Sequence, residues 1–290
     1  MYDYKKLVKN REIRIKISKL LSIVPSKPYL KFVYRMKTGR KLNLSNPQGF
    51  NDKLNCLKLN DIHPEYTKLV DKLAVREYIK EKLDEEYLFP LLGYWERFDD
   101  IDFDSLPDKF VLKCNHDSGS VKLIRDKNTV DIAELKKFFD GRMKINAYCL
   151  GREYPYKDVK PCIMAEKFME AENGLNDYKF FCFNGQAKML LIVTDREHDL
   201  RNDFYDENYN HLNVKRGHEF ADYQIPKPVC FEEMKQIVSK LSQEMRFVRL
   251  DFYEVDGKIY FGEFTFFPAG GFWLFEPEEW ELKLGGFLEL

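Results

Sequence analysis

The stretch from Phe247 to Gly271 constrains the fold of this chain more than any other part of the sequence. Alternating apolar residues lie on both sides of Asp256-Gly257, a dipeptide that tolerates the positive backbone angles of a tight turn. This pattern predicts a hairpin of two antiparallel strands.

The predicted hairpin places two acidic side chains together. Because side chains alternate along a strand, we expect each strand to present three of them to a shared face: Arg249, Asp251 and Tyr253, and Phe261, Glu263 and Thr265. Asp251 and Glu263 would then repel each other unless a cation lay between them, and hard oxygen ligands of this kind suit Mg²⁺ bound with phosphates. The alternative is an exposed acidic face of a half-solvated sheet.

The composition is that of a globular protein. The 290 residues are 44% hydrophobic and 33% charged, enough for one large domain or two ordinary ones. The sequence has no apolar run long enough to span a bilayer and no signal-peptide centre, so we expect a cytoplasmic protein. We expect no nucleic-acid partner. Six scattered cysteines without a Cys-x-x-Cys pair predict reduced, mostly buried thiols.

The first 41 residues form a strongly basic segment. They carry 13 Lys or Arg against two acidic residues, although the whole chain has a net charge of -1. Apolar residues from Leu7 to Val24 lie among the lysines and predict a basic amphipathic helix that ends before Pro25. Such a helix could lie on an anionic membrane or bind an acidic polymer. The alternative is a helix packed on its own domain with a solvated basic face.

The rest of the chain alternates between helix and strand signals. Hydrophobic spacing predicts helices that begin at Phe50 and that span about 65–83, 131–146 and 231–245. Strands are expected at Phe110–Cys114, after the small-residue loop Asp117–Ser120, at 162–170, and in a hairpin over 177–196 turned at Asn184-Gly185. Residues 202–210 are expected to form a polar loop, followed after the last hairpin by an acidic, aromatic tail.

Lysine side chains are suited to hold phosphates in this chain. Lys72 in VDKLA and Lys113 in VLKCN offer compact ammonium charges for triphosphate oxygens. The backbone N–H groups of the loop with Ser118, Gly119 and Ser120 could close over the same phosphates, because small residues permit close approach. The alternatives are an ordinary solvent-facing lysine for Lys72 and a surface strand charge for Lys113.

A series of motifs resembles the ATP-grasp superfamily, and within it the TupA-like branch associated with capsule and teichuronopeptide biosynthesis. From about Leu42 to the end, the resemblance is carried by FNDKL, LVDKLAVREY, FVLKCNHDSGS, GREYPYK, AEKF, DYKFFCFNG, FVRLDFY and YFGEFTF. It implies an α+β ATP-grasp fold, with two subdomains clasping ATP behind a basic, mainly helical N-terminal region. The expected divisions are 1–65, 66–165 and 166–290. Residues 1–65 are too short and too helical for the Rossmann-like domain that usually precedes the grasp fold.

The resemblance also implies roles for single residues. Glu166-Lys167-Phe168 matches the hinge that binds adenine, Lys179 and Arg196 point toward phosphates, and Arg249 adds a cation beside the metal. The alternatives are an ordinary strand end for the hinge and surface charges for the three cations. His116 is a candidate general base, or else a structural or phosphate-contacting residue.

The metal ligands implied by the resemblance are Asp251, Glu263 and Thr265. The family usually has Asn at the position of Thr265, and a hydroxyl is a weaker Mg²⁺ ligand than an amide oxygen. One of two metal ions would therefore be held less tightly or through water. Gly270-Gly271, after Pro268, would let the backbone approach the transferring phosphoryl group.

The function implied is that of an ATP- and Mg²⁺-dependent carboxylate-amine ligase. ATP would phosphorylate a carboxylate, and an amine would displace the phosphate to leave an amide and ADP. The expected partners are a uronic-acid-containing saccharide and an amino acid or other amine. The alternatives are a glycosyltransferase of capsule assembly, with the acidic pair holding a sugar nucleotide, and a non-catalytic nucleotide-binding partner at the membrane.

Overall fold

The computed structural model describes residues 23–170, 174–196 and 199–290. Within these residues the α-helices are α1 Ser26–Thr38, α2 Phe50–Asn60, α3 Tyr66–Val70, α4 Val75–Lys82, α5 Ile132–Met143, α6 Tyr148–Gly151, α7 Phe231–Ser242 and α8 Glu279–Phe287. The strands are β1 Leu91–Trp95, β2 Phe110–Cys114, β3 Val121–Ile124, β4 Ile163–Lys167, β5 Asp177–Phe183, β6 Gln186–Thr194, β7 Arg201–Tyr205, β8 His211–Leu212, β9 Phe247–Val255 and β10 Lys258–Thr265.

These strands form two antiparallel sheets. The first has four strands in the order β1-β4-β2-β3, and the second has six in the order β10-β9-β5-β6-β7-β8. With helices packed against both sheets, the fold is α+β, as the sequence predicts.

Both predicted hairpins are present in the six-stranded sheet. Asn184 and Gly185 join β5 to β6, and Asp256 and Gly257 join β9 to β10. All four turn residues have positive φ, between 49° and 78°. Asn, Asp and Gly tolerate this backbone region better than other residues, so the local sequence alone was enough to locate the turns.

The two faces of the six-stranded sheet differ in chemistry. On one face Phe180 and Phe252 pack beneath α7, where the Phe180 and Phe231 rings lie 6.2 Å apart. The other face is apolar at one end, where Phe181 packs with Phe50 of α2, and ionic at the other end. Hydrophobic burial therefore fixes the sheet and leaves an ionic surface beside its core.

The four-stranded sheet has its own core. Leu112 and Ala165 are paired on the face that packs against Phe139 of α5. On the opposite face Val111 pairs with Glu166 and Lys113 with Met164, so Lys113 and Glu166 project to the same side.

The single helix predicted over 65–83 is wrong. The structure has two helices, α3 and α4, and the helical conformation is interrupted between them at Asp71. Asp71 Oδ1 accepts hydrogen bonds from the backbone N–H groups of Leu73 at 2.9 Å and Ala74 at 3.2 Å. A local side-chain acceptor thus replaces the helical carbonyl at this point.

The polar loop predicted over 202–210 is also wrong at its start. Residues Arg201–Tyr205 form β7, which pairs with β6 and is largely buried. The acidic tail contains α8, which packs against α2: a methyl group on Gly285 would overlap the carbonyl of Gln48. Both elements are stabilised by tertiary contacts that their own composition does not reveal.

The basic segment is only partly within the described residues. The helix predicted before Pro25 lies almost entirely outside them, in 1–22. Directly after Pro25, α1 buries Tyr29, Leu30 and Tyr34 and leaves Lys27, Lys31 and Arg35 exposed. This part is a helix packed on its own protein with a basic outer face.

Three further predictions can be compared with the structure. All six cysteines are free and five are buried, as expected. No helix within the described ranges is long and apolar enough to cross a bilayer. The domain divisions stay a prediction; the one between residues 165 and 166 falls inside β4.

Candidate functional site

Three charged side chains lie in a row across adjacent strands of the six-stranded sheet. Lys179 of β5 pairs with Asp251 of β9, and Asp251 pairs with Glu263 of β10. We call Lys179, Asp251 and Glu263 the ionic row. The predicted juxtaposition of the two acids is therefore confirmed.

A β-bulge at Gly262 produces this alignment. Phe261 pairs with Phe252 and Glu263 pairs with Asp251, so the register shifts by one residue between them. The expectation that Phe261 shares the face of Glu263 is wrong, because the extra residue turns Phe261 into the core. Gly262 permits this, since a Cβ there would lie 2.9 Å from the Asp251 carbonyl oxygen.

Arg249 is bound to all three predicted metal ligands. Its Nε and Nη2 donate to the two Asp251 oxygens, both at 2.7 Å. Nη2 also donates to Glu263 at 3.1 Å and to the Thr265 hydroxyl at 3.0 Å. Thr265 in turn donates to Glu263 at 3.2 Å. The predicted metal ligands and Arg249 thus form one hydrogen-bonded network.

The network continues through a buried carboxylate. Lys179 Nζ pairs with Asp251 and lies 2.7 Å from Asp177 Oδ2, which also pairs with Arg196. Asp177 is completely buried, and its Oδ1 has no hydrogen-bond partner among the described residues. Asp177 therefore links Arg196 to Lys179 of the ionic row, and the phosphate roles of both cations stay a prediction.

Lys72 connects the ionic row to the four-stranded sheet. Its Nζ lies 3.5 Å from Glu263 Oε2 and donates to the Asp117 carbonyl at 2.8 Å. Asp117 lies in the loop between β2 and β3, and the Lys72 side chain is only 13% exposed. Lys72 is consequently an interior cation that contacts both sheets, and not a solvent-facing lysine.

The electrostatics of the row favour a charged Glu263. Burial alone would raise its pKa, but Lys72, Arg249 and Lys179 outweigh burial and hold the pKa at about 2. Burial raises the pKa of Asp251, with Arg249 and Lys179 opposing it. Cations therefore occupy the space around two adjacent carboxylates.

A second ionic cluster lies on the four-stranded sheet. Lys113 Nζ is 2.5 Å from Glu166 Oε2, and Arg76 of α4 is 3.4 Å from Glu166 Oε1. Lys113 and Glu166 are thus paired with each other.

Lys167, the next residue along β4, is exposed at the end of the strand. Its backbone N–H donates to the Pro90 carbonyl at 2.9 Å.

The aromatic residue of the predicted adenine hinge lies just beyond β4. Phe168 is partly buried, and its ring centroid lies 5.0 Å from the Arg125 guanidinium. Arg125 directly follows β3, so the hinge residue touches the far end of the β2-β3 hairpin.

The loop between β2 and β3 is tied to the body of the protein. Arg142 of α5 donates to the Gly119 carbonyl at 2.5 Å, and Ser120 donates to Asp117 Oδ2 at 2.5 Å. Ser118 and Gly119 are exposed at the tip. His116 is buried beneath it, with Nε2 3.3 Å from the Arg142 carbonyl, and burial lowers its pKa. These contacts favour the structural role for His116.

The loop after β10 is held in an unusual conformation. Ala269, Gly270 and Gly271 all have φ between 52° and 65°, in the left-handed region. Its carbonyls are bound by buried side chains: Lys58 donates to Gly270 at 2.6 Å, Asn55 to Gly271 at 2.8 Å, and Arg216 to Pro268 at 3.3 Å. Asn55 and Lys58 lie on one side of α2.

The residues present fit an Mg²⁺ ion bound together with phosphates. No group of three or more His, Cys, Asp or Glu ligands exists in the described part of the chain. Asp251, Glu263 and Thr265 offer two carboxylates and one hydroxyl. Mg²⁺ in nucleotide sites commonly takes one or two carboxylates, with phosphates and water completing its shell.

Several residues of the site were missed from the sequence. Asp177, Arg76 and Arg216 are single charges in ordinary contexts, and only the pairing of distant elements reveals them. Lys58 and Asn55 do have a local signal: they are polar residues on the side of α2 that the helical period assigns to neighbouring elements.

The chain is similar to one known protein family. The model of the family described as TupA-like ATPgrasp matches residues 52–289. No curated protein matches the chain.

Three ligases are among the solved structures to which the chain is similar. D-alanine–D-alanine ligase from Bacillus anthracis is 15% identical over 76% of this chain and 65% of its own, with a TM-score of 0.45. L-amino acid ligase from Bacillus licheniformis is 13% identical over 92% and 57%, with a TM-score of 0.44. The ATP-grasp ligase PsnB, with a phosphomimetic variant of its minimal precursor, Mg and ADP, is 11% identical over 77% and 58%, with a TM-score of 0.39.

The chain thus spans between 57% and 65% of the length of these ligases. The family model, in contrast, matches most of the chain, including every residue of the ionic row. On that match, the chain belongs to the TupA-like ATP-grasp family.

Proposed function

We propose that the protein is an ATP-dependent carboxylate-amine ligase that forms ADP, phosphate and an amide. The observation that carries the proposal is the contact of Lys72 with both sheets, at Glu263 of the ionic row and at the loop that follows the Lys113 strand. A triphosphate lying along this contact would meet cations from both sides.

The cations would bind and orient the phosphates. Lys72, Lys113 and Lys179 each have a carboxylate partner in the structure, so each would exchange that partner for phosphate oxygen. Arg249 carries the forked donors that match a tetrahedral anion, and it would orient the phosphoryl group being transferred. Catalysis of this kind depends on positioning and charge neutralisation, and it needs no nucleophilic Ser or Cys.

Asp251, Glu263 and Thr265 would hold Mg²⁺ against the phosphates, and the bound ion would neutralise charge that develops there. Because Arg249 and Lys72 now neutralise these carboxylates, we expect the metal to bind together with the nucleotide.

The adenine base of the nucleotide would lie at Glu166 to Phe168. The Lys167 N–H is bonded to Pro90, so the adenine edge would meet the backbone beyond it.

The substrates we propose are a uronic-acid carboxylate and an amino acid amine, in bacterial surface polysaccharide synthesis. The motifs quoted above and the basic N-terminal segment support this choice. The same segment is proposed to bring the protein to the inner face of a membrane or to an assembly partner.

A screen of ADP release tests the proposal. The wild-type protein is incubated with ATP, Mg²⁺, D-glucuronic or D-galacturonic acid, and the common amino acids, and the products are weighed by mass spectrometry. We expect ADP together with a condensation product, whose mass equals the summed masses of the two substrates minus that of one water molecule. No ADP in any combination would contradict the proposal.

A further inference from the structure

One carboxylate beside the ionic row is used neither by the phosphate contacts nor by the metal set. Glu153 lies between two glycines, Gly151 at the end of α6 and Gly270 in the loop after β10. A methyl group on Gly270 would be 3.3 Å from Glu153 Oε1, and one on Gly151 would overlap that oxygen. A side chain at either glycine would therefore crowd the Glu153 carboxylate.

Lys58 connects the two glycines on either side of this carboxylate. Lys58 Nζ donates to the Gly151 carbonyl at 2.7 Å and to the Gly270 carbonyl at 2.6 Å. The Lys58 ammonium thus links α6 to the loop after β10 through two backbone oxygens. It does not form an ion pair within 4 Å with Glu153 or with any other carboxylate of the described residues.

The Glu153 carboxylate has no hydrogen bond or ion pair among the described residues, although the residue is partly buried. The charged and titratable groups that face it are Lys58 from α2, Lys37 from α1, Glu263 from β10 and Tyr156 three residues along. Burial raises the pKa of Glu153, with Lys58 and Lys37 opposing this and Glu263 adding to it. The carboxylate has no partner in the described part of the chain and reaches solvent, so it is available to pair with a cationic ligand.

The position of Glu153 matches one step of the proposed reaction, and the following inference rests on that proposed function. Gly270 lies only five residues after Thr265, so the loop that borders Glu153 is the direct continuation of the strand with Glu263. We infer that Glu153 binds the incoming amine as its ammonium ion and removes the proton that prevents attack on the acylphosphate.

The bonds and charges of this step balance. Glu153 takes one proton from the ammonium, and the free nitrogen lone pair forms the C–N bond at the acyl carbon. The C–O bond to phosphate breaks, phosphate leaves with the electron pair, and it receives the second proton lost by nitrogen. Glu153 then releases its proton to water. Glu153 therefore selects an amine substrate that carries a cationic amino group, and it does not select a hydroxyl nucleophile.

Hydroxylamine separates this role from the rest of the reaction. Hydroxylamine is uncharged at neutral pH, so it captures an acylphosphate as a hydroxamate without help from a base. In the wild-type protein, ATP, Mg²⁺ and a uronic or amino acid should give the hydroxamate with hydroxylamine and the amide with an amino acid. In Glu153→Gln, we expect hydroxamate formation within about twofold of wild type and amide formation reduced by about 10²-fold or more.

The pH profile and a conservative variant complete the test. The loss of amide formation in Glu153→Gln should shrink as pH rises toward the pKa of the substrate amine, while Glu153→Asp should keep part of the activity. Equal loss of both products, or unchanged amide formation, would overturn the inference. If Glu153→Gln does not fold, the same ratio of products is measured in Glu153→Asp. No hydroxamate in the wild-type protein would instead refute the proposed function itself.

Discussion

Glu263 shows how single residues of the ionic row gain their properties from neighbours. Its pKa of about 2 lies below the ordinary value of 4.5 because three cations outweigh burial. The stabilisation of the folded state by the charged Glu263 is therefore complete above about pH 4.5, and it is lost as pH falls toward 2. Acid should weaken the fold partly through this one side chain.

Replacing Glu263 by Gln tests that linkage. Between pH 5 and pH 2.5 we expect the free energy of unfolding of Glu263→Gln to fall less than that of wild type, by about 2 kcal/mol after allowance for solvent screening. Urea unfolding followed across this range measures the difference. The exposed Glu86→Gln is the control and should follow wild type; parallel curves for all three proteins would contradict the assigned charge environment.

Lys72 is the residue that contacts both sheets, and its removal should affect nucleotide affinity more than stability. We expect Lys72→Met to weaken binding of a non-hydrolysable ATP analogue about 10-fold or more, because a phosphate contact that is partly shielded from water is lost. Calorimetric titration measures this. Lys68→Met on α3 provides a matched control, and equal affinity of both variants would refute the phosphate role.

At the scale of elements, the bulge in β10 sets the alignment of the two carboxylates. In Gly262→Ala, a Cβ would lie 2.9 Å from the Asp251 carbonyl oxygen and 3.1 Å from the Tyr253 ring. We expect a loss of about 1–3 kcal/mol in the free energy of unfolding. Gly286→Ala on α8 is the control, since nothing lies within 4 Å of its Cβ, and it should be neutral or stabilising by up to about 1 kcal/mol.

Helix α2 holds the loop after β10 through its polar side. Asn55 donates to the Gly271 carbonyl at 2.8 Å, and the bond is buried. We expect Asn55→Ala to cost about 1–3 kcal/mol, because a buried carbonyl loses its donor. Asn60→Ala is the control: Asn60 donates to Cys56 of its own helix, near its exposed end, and should cost little. Similar costs in denaturant unfolding would show that the loop contact is unimportant.

Sequence reasoning located the elements whose signals are local. The turns at Asn184-Gly185 and Asp256-Gly257, and the strand before Asp117, follow from residues adjacent in the chain. It missed the break at Asp71 although the cause is local, because hydrophobic spacing does not register a side chain that accepts from the backbone of Leu73 and Ala74. It missed β7 and the bulge at Gly262 because each depends on a partner elsewhere. For the same reason it named Lys72 and Asp251 but not Asp177 or Glu153.

At the scale of the whole molecule, the two sheets have separate cores and meet at charged residues. The cores are those around Phe181 and around Phe139, and Lys72 is one link between the two sheets. A nucleotide held by both sheets would add its binding free energy to the stability of the protein, about 2.7 kcal/mol at a ligand concentration of 100 Kd.

The most direct test of the proposed ATP site at the ionic row is calorimetric titration. The protein is titrated with a non-hydrolysable ATP analogue in the presence of Mg²⁺, and separately with a UDP-sugar. We predict saturable binding of the ATP analogue, at least tenfold weaker in Glu263→Gln and unchanged in Glu86→Gln, with no binding of the UDP-sugar. Binding of the UDP-sugar without the ATP analogue, or equal affinity of the analogue for Glu263→Gln and wild type, would contradict it.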